Sequence, residues 1–334
     1  MVQANPSLNL TVRTDQQEYY PGQPVQVSGN LTLDESPVTD GLVGLQINGP
    51  SEPFIFRTLR TGSLPPTAGY VLLEWVLPCD IDGNPQYTFQ NGTTAYFKVH
   101  LVNMDPHNPR YVVVTFNVYY SNAGNLTPFG FASITTTIIP SGDITRTQPM
   151  QIPADAILGE AIVYANAYTN FPEEGGTPYY IEQNATFQIT GAEGEGQTVQ
   201  NPLTIMQSNE TENYETTFIL PEQVANGTYT VYVTSIYAYT SVSNSTTFQI
   251  GEVQQGVVGD LGGGVPPQFF AFDGKVDGKD LTLFLMCFKG NAPPEAMYLA
   301  DLGGGVPPQF FQYDGVVDGK DLTLFLMCFK GLGP

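Results

Sequence analysis

The sequence predicts a mainly β chain that ends in a small α-helical module. Three observations carry this. Short β-branched and aromatic runs, broken by Gly, Pro, Asn and Asp, follow one another up to residue 250. The last quarter is duplicated at a period of 41, with residues 259–290 and 300–331 identical at 28 of 32 positions. Each copy carries DGxVDGKD directly before an apolar run of helical period.

The first series of runs covers Leu8–Val12, Val25–Leu33, Leu42–Ile47 and Phe54–Leu59, with turns at Pro21-Gly22, Asp40-Gly41 and Asn48-Gly49-Pro50. The second covers Tyr70–Leu77, Ala95–Val102, Tyr111–Tyr119, Phe129–Ile139, Ala161–Tyr168 and Tyr180–Ile189. The third covers Glu215–Leu220, Thr228–Ile236 and Thr246–Ile250. Residues 251–258 read as a linker and Asn291–Ala300 as the joint between the repeats.

The first series resembles the opening half of an immunoglobulin-like sandwich and lacks a closing half. The third resembles a closing half, with Tyr229 where a tyrosine-corner residue would stand. An isolated half-sandwich buries too little surface to be stable. The expectation is therefore a discontinuous sandwich over 5–64 plus 196–250 and a second, inserted sandwich over 66–192. The helical module occupies 259–334. Three sequential modules are the other arrangement.

Composition restricts function. The 334 residues hold 32 acidic against 11 basic side chains, a formal net charge of −21. Such a chain repels nucleic acid and anionic membrane surfaces and attracts divalent cations. No apolar run is long enough to span a bilayer. MVQANPSLNL lacks a charged-then-apolar leader, so either a leader has been removed or the gene starts upstream. Eight Asn-x-Ser/Thr sequons, at Asn9, Asn30, Asn91, Asn125, Asn184, Asn209, Asn226 and Asn244, point to a glycosylated, extracellular or cell-surface protein. Of the three cysteines, Cys287 and Cys328 are equivalent repeat positions, read as a disulfide or as two buried apolar residues; Cys79 is left over.

The repeat loops carry the chemistry. Asp273, Asp277 and Asp280 in the first copy, and Asp314, Asp318 and Asp321 in the second, are oxygen ligands at the spacing a calcium loop uses. Gly274 and Gly315 allow the sharp turn; Lys275 and Val316 would offer backbone carbonyls. Asp280 and Asp321 also stand where a helix N-terminus favours a carboxylate without metal. These repeats resemble the dockerin family, which carries two tandem loops of the form DxNxDGxxxxxD, each followed by a helix. The resemblance covers about 75 residues and departs at the front of the loop. There Phe269, Ala271, Phe310 and Gln312 cannot donate carboxylates, and Asp260 and Asp301 are the substitute first ligands. It implies calcium as cofactor and a cohesin-like partner, met through Gly278, Lys279, Gly319 and Lys320. In each helix the stripe Leu281, Phe284, Leu285, Phe288, repeated at Leu322, Phe325, Leu326, Phe329, is the expected packing face. The remaining faces are apolar too, which calls for a partner, either the chain's own sandwich or another protein.

Other signals are weaker. Asp80-Ile81-Asp82-Gly83-Asn84 suits a polar hairpin turn or a calcium clip. His100 reads as structural, His107 as a loop residue, and Glu173-Glu174 as a chance acidic pair. No Ser-His-Asp, zinc or phosphate-loop pattern appears. Trp75, the sole tryptophan, is a slender basis for a sugar platform. The sequence thus points to a non-enzymatic structural protein: a calcium-stabilised, self-assembling or adhesive subunit of a surface filament or layer. Its partners are copies of itself or a cohesin-like or other surface protein, with glycans as a further class. The alternative is a carbohydrate-binding or scaffold-docked accessory of a polysaccharide-degrading complex.

Overall fold

Alternation sets the strands. In Pro24–Leu33 the residues Val25, Val27 and Leu31 are buried while their neighbours are half-buried or exposed. Thr94–Asn103 repeats this with Ala95, Phe97, Val99 and Leu101. Successive side chains of a strand point to opposite faces, so each strand offers one apolar face to a core. The chain is mainly β.

The structure is a computed structural model. It describes residues 7–66, 69–122, 124–191, 213–221, 223–251, 261, 276–290, 300 and 317–330, the Cys328 side chain excepted. Residues 1–251 form one compact unit and residues 252–334 another.

The first unit begins with β1 (Leu8–Leu10), β2 (Arg13–Thr14), β3 (Glu18–Tyr19), β4 (Pro24–Leu33), β5 (Ser36–Pro37), β6 (Leu42–Asn48) and β7 (Pro53–Arg60). Then come β8 (Val71–Cys79), β9 (Thr88–Gln90), β10 (Thr94–Asn103), β11 (Arg110–Asn122), β12 (Asn125–Ile138), β13 (Asp143–Gln151), β14 (Gly159–Tyr168) and β15 (Gln183–Thr190). It closes with β16 (Asn213–Ile219), β17 (Gly227–Tyr237) and β18 (Thr240–Ile250).

Strands far apart in sequence share sheets. β16 lies antiparallel to β4, with β1, β2 and β5 also on β4. A facing sheet runs β3-β18-β17-β6-β7. Between them lie Val25, Val27, Val43, Leu45, Tyr214, Val231 and Phe248. Gly29 on β4 is required by closeness: a Cβ there would lie 1.9 Å from Thr11 O, which the Tyr214 hydroxyl also bonds. The Tyr229 hydroxyl donates back to Ala225 O at 2.9 Å. The strands between pair among themselves, as β13-β10-β8 and β12-β11-β14-β15-β9. Their shared core includes Leu73, Phe97, Val99, Phe116, Val163 and Phe187.

Three sequence expectations are refined. β13 was not anticipated, because DITRTQPMQ buries only Met150 and has Pro149 in its course. A one-sided edge strand needs little apolar content and tolerates proline. The last strand of the third series, expected over Thr246–Ile250, starts earlier than its apolar residues suggest, since the polar run Thr240–Ser245 continues the hairpin opposite β17. The segment before Gln183 is irregular rather than extended from Tyr180.

β7 joins the two strand groups. It is the edge of its sheet, and the outward side of its backbone meets side chains instead of another strand. Asn117 Nδ2 donates to Phe54 O at 3.1 Å, and Phe56 N donates to Asn117 Oδ1 at 2.7 Å. Asn166 Nδ2 donates to Phe56 O at 3.3 Å, and Thr58 N to Glu182 Oε2 at 3.0 Å. Glu182 also grips Arg57 in a fork, Nη2–Oε1 at 2.6 Å and Nε–Oε2 at 2.9 Å. The guanidinium lies 4.0 Å from the Tyr164 ring centroid. Burial opposes the Arg57 charge, but Glu182 outweighs it and drives the pKa upward. Burial pushes the nearby Tyr119 and Tyr168 hydroxyls up as well, so both stay neutral.

Removing one partner of a buried pair strands the other charge. Glu182→Ala should therefore lose about 3–5 kcal/mol in denaturant unfolding. Arg57→Met with Glu182→Leu should lose less than Glu182→Ala alone, because no buried charge is then stranded and only the Thr58 amide and the Thr216 hydroxyl lose partners. A double variant as unstable as the single one would contradict this.

Candidate functional site

The repeat helices are built by their caps. Helix α1 (Gly278–Phe288) starts at Asp277, whose Oδ1 accepts the Lys279 amide at 2.7 Å. Asp280 returns the bond, its Oδ2 accepting the Asp277 amide at 2.7 Å. Two orphan donors of the first turn are thus satisfied reciprocally. Helix α2 (Gly319–Phe329) repeats this with Asp318 and Asp321, both bonds at 2.7 Å. Asp280 does one thing more: its Oδ1 accepts the Leu261 amide at 2.8 Å. That bond holds the chain just after Asp260 against the start of α1. Asp280 and Asp321 are both buried.

The packing face is rotated from the expected stripe. Leu283, Phe284 and Cys287 are buried in α1, and Leu324 and Phe325 in α2, together with Leu261 and Ala300. Phe284 stacks on Phe325 with centroids 4.8 Å apart. The buried cap at Asp280 fixes which side faces in, and Leu283 and Cys287 lie on that side, three and seven residues on. Leu285 and Phe288, assigned to the packing stripe, are instead 37% and 41% exposed; Leu326 and Phe329 are 38% and 39% exposed. The Cys287 thiol is buried, which raises its pKa. Cys79 is likewise a buried thiol, raised mainly by burial.

Of the ten residues assigned to calcium, Asp277, Asp280, Asp318 and Asp321 are described. Asp260, Asp273, Lys275, Asp301, Asp314 and Val316 lie outside the described residues. Among the described residues no group of three acidic, His or Cys side chains is placed to hold a metal. The donors fit a hard cation in kind, as carboxylates. The bonds seen at Asp277 and Asp280 are to backbone amides.

Among the sequons, Asn9, Asn30, Asn125, Asn184, Asn226 and Asn244 are exposed and Asn91 is half-buried. Asn209 lies outside the described residues. Asn91 Nδ2 donates to Ala154 O and Asn244 Nδ2 to Leu10 O, each at 2.8 Å, so these two amides are already used by the fold. Asp80 to Asn84 is a polar turn: Asp80 Oδ1 accepts the Asn84 amide at 2.8 Å, and Lys98 Nζ reaches Gly83 O. His107 sits in the loop shaped by Asp105, which accepts its amide at 2.9 Å.

One constellation escaped the sequence. On the outward face of β13-β10-β8, His100 Nδ1 lies 2.8 Å from Glu74 Oε2 and Nε2 lies 3.1 Å from Asp143 Oδ2. Trp75 stacks on the imidazole at 5.5 Å. A register shift opposite His100 places Glu74 as an extra residue on β8, and both Glu74 and Trp75 are exposed. A bulge has no clear signature in a single sequence. Burial disfavours the charged imidazole, but the two carboxylates prevail and raise its pKa.

No family model matches the chain, and no curated protein matches it. Solved structures show weak likenesses. One is a Pseudomonas fluorescens alkylpurine DNA glycosylase bound to DNA with an abasic site analog, at 11% identity and TM-score 0.27 over 37% of this chain. This chain spans only 31% of the glycosylase. Others are the C-terminal domain of wzt, at 9% and 0.30 over 39% of this chain and 85% of that one, and a CARDB domain from Pyrococcus furiosus with di-metal ions, at 15% and 0.25 over 40% and 96%. At these scores the likenesses carry no argument about fold or activity.

Two outcomes follow from this geometry. Asp280→Ala removes two acceptors for backbone amides and should destabilise the helical module by about 2 kcal/mol even in chelator. Helical circular dichroism on heating checks it, and an unchanged melt would contradict it. His100 titrates higher folded than unfolded, so its stabilisation is full below about pH 6.5, the ordinary imidazole value, and is lost as pH rises through the raised value. Melting of the wild type against His100→Gln should show a gap that closes on raising the pH; a gap that widens would contradict the assignment.

Proposed function

We propose that this chain is an extracellular, non-enzymatic structural protein, a calcium-stabilised subunit that assembles with its own copies or a surface partner in a filament or layer. The observation that carries the reading is the pair of near-identical helices that bury one side each and leave Leu285, Phe288, Leu326 and Phe329 in solvent. Exposed apolar pairs rimmed by polar residues mark interaction sites.

Other features support it. The two-layered sheets and the Tyr229–Ala225 bond suit immunoglobulin-like sandwiches. The pairings of β4 with β16 and β6 with β17 suit a discontinuous sandwich over 5–64 plus 196–250, with a second inserted over 66–192. Exposed sequons suit a glycosylated surface protein. For the module at 259–334, the reciprocal aspartate caps suit a dockerin-like fold. The Leu261–Asp280 bond supports Asp260 as first ligand beside Asp273, Asp277 and Asp280, with Asp301, Asp314, Asp318 and Asp321 in the second loop. Calcium bound there would neutralise the clustered carboxylates and fix the loops. A second route to assembly is for the N-terminal segment Val2–Leu10 to insert as a strand at the sheet edge of a neighbouring copy; it is the weaker one, because Leu8–Leu10 already pairs with Leu31–Leu33 of its own chain and buries Leu10, so donation would first break that pairing.

A second reading, a carbohydrate-binding or scaffold-docked accessory with a cohesin-like partner, is favoured by one observation: Trp75 is exposed at the edge strand of its sheet, beside Glu74 and His100.

Electron microscopy of the full chain, first with calcium and then with chelator, tests the proposal. Ordered polymers that fall apart on chelation are expected. Polymers that survive would remove calcium from the assembly step. Monomers in both conditions would overturn self-assembly and favour the accessory reading.

A further inference from the structure

The exposed helix faces have a definite sign. Leu285 and Phe288 are followed on α1 by exposed Lys289, and Leu326 and Phe329 on α2 by exposed Lys330. Lysines at a helix C-terminus also complement its dipole, which accounts for their position but not for the apolar pairs beside them. At the other end of each helix, Asp277 and Asp318 lie near Lys279 and Lys320, so the cationic end is the one carrying the phenylalanines. Residues 1–251 hold 22 acidic and six basic side chains, and none of the six follows Arg146.

Within that acidic unit a loop with an adjacent aliphatic pair matches the helix faces in both respects; the Asp80–Asn84 turn also exposes Ile81 between Asp80 and Asp82, but as a single side chain and with Lys98 bonded to the turn. Between β13 and β14, Ile157 and Leu158 are 63% and 56% exposed and stand between exposed Asp155 and Glu160. The loop is held firmly. Ala156 is buried in the core, its amide donates to Pro153 O at 3.2 Å, Gly92 N donates to Pro153 O at 3.1 Å, and Asn91 Nδ2 holds Ala154 O. A pre-ordered loop docks without the cost of being ordered on binding. Another exposed apolar group, Tyr70 with Met104, offers a lysine no open carboxylate: Arg110 lies 3.9 Å from the Tyr70 ring centroid and takes up the buried Asp105.

We propose that the Lys-flanked apolar faces, Leu285–Phe288–Lys289 and Leu326–Phe329–Lys330, dock on the Asp155–Ile157–Leu158–Glu160 loop of a second copy of this chain. The aliphatic pair of the loop meets the Leu–Phe pair of a helix, and the carboxylates meet the lysine. The two surfaces differ, so the contact can repeat head-to-tail into open polymers or rings, or be made twice in a reciprocal two-fold pair. The inference rests on the self-assembly reading and specifies its interface.

Charge reversal with rescue tests it. Sedimentation velocity would compare four full-length proteins in calcium: wild type, Lys289→Glu/Lys330→Glu, Asp155→Lys/Glu160→Lys, and the combination of all four changes. Each double reversal should weaken association roughly tenfold or more, because like charges then face each other. The combined variant should return to within about threefold of wild type, a recovery that damage to folding would not produce. High salt should weaken the wild type. Association unchanged by both reversals, or not recovered in the combination, overturns this interface and leaves the assembly reading standing. A wild type that stays monomeric overturns both.

Discussion

The side-chain clamp on β7 is the constraint on which the rest of the larger unit depends. An edge strand exposes a row of unpaired amides and carbonyls, and leaving them bare invites pairing with a foreign strand. Here Asn117, Asn166 and Glu182 meet Phe54, Phe56 and Thr58. The asparagines come from adjacent strands of one sheet, so they present amides at a spacing a neighbouring strand would otherwise supply. Around them Phe56 stacks on Phe131 and packs against Val113 and Tyr168. Such a polar layer is stable only when nearly every member is satisfied. The buried Arg57–Glu182 fork adds to it, with Asn166 Oδ1 and the Tyr119 hydroxyl left as its buried atoms without a hydrogen-bond partner among the described residues.

That rigidity bears on function. The filament subunit proposed above would need its layers fixed relative to each other, and the clamp supplies hydrogen bonds whose directions are specific. In the proposed assembly, association falls to surfaces that solvent can reach: the outer sides of two small helices and an acidic loop. The division suits a chain with a net charge of −21, in which most surface contacts between copies are repulsive. Cationic ends on the repeat helices are then the scarce feature that would select the proposed docking geometry.

Much of the fold was legible because alternation and turn residues report directly on burial. Val25, Val27 and Leu31, or Ala95 through Leu101, can be assigned to one face from sequence alone. The helices and their starts were legible for a similar local reason, since DGKDLTLF places an N-cap before an apolar run. What failed to show was set by partners distant in sequence. Asn117 and Asn166 look like ordinary polar positions on strands; only the approach of β7 makes them necessary. The rotation of α1 about its axis could not be read because nearly every face is apolar; the buried Asp280 cap fixes the inward side, and the Phe284–Phe325 stack lies along it. The Glu74–His100–Asp143 bridge needed a bulge and two strand registers to assemble.

The clamp is tested most directly by native-state hydrogen exchange at the Phe56 and Thr58 amides. If Asn117 and Glu182 satisfy them, both should exchange as slowly as the amides between β6 and β7, opening only when the whole unit unfolds. Exchange at the fast rate of an open sheet edge would show that side chains do not close β7, and would contradict the account of a single rigid β unit.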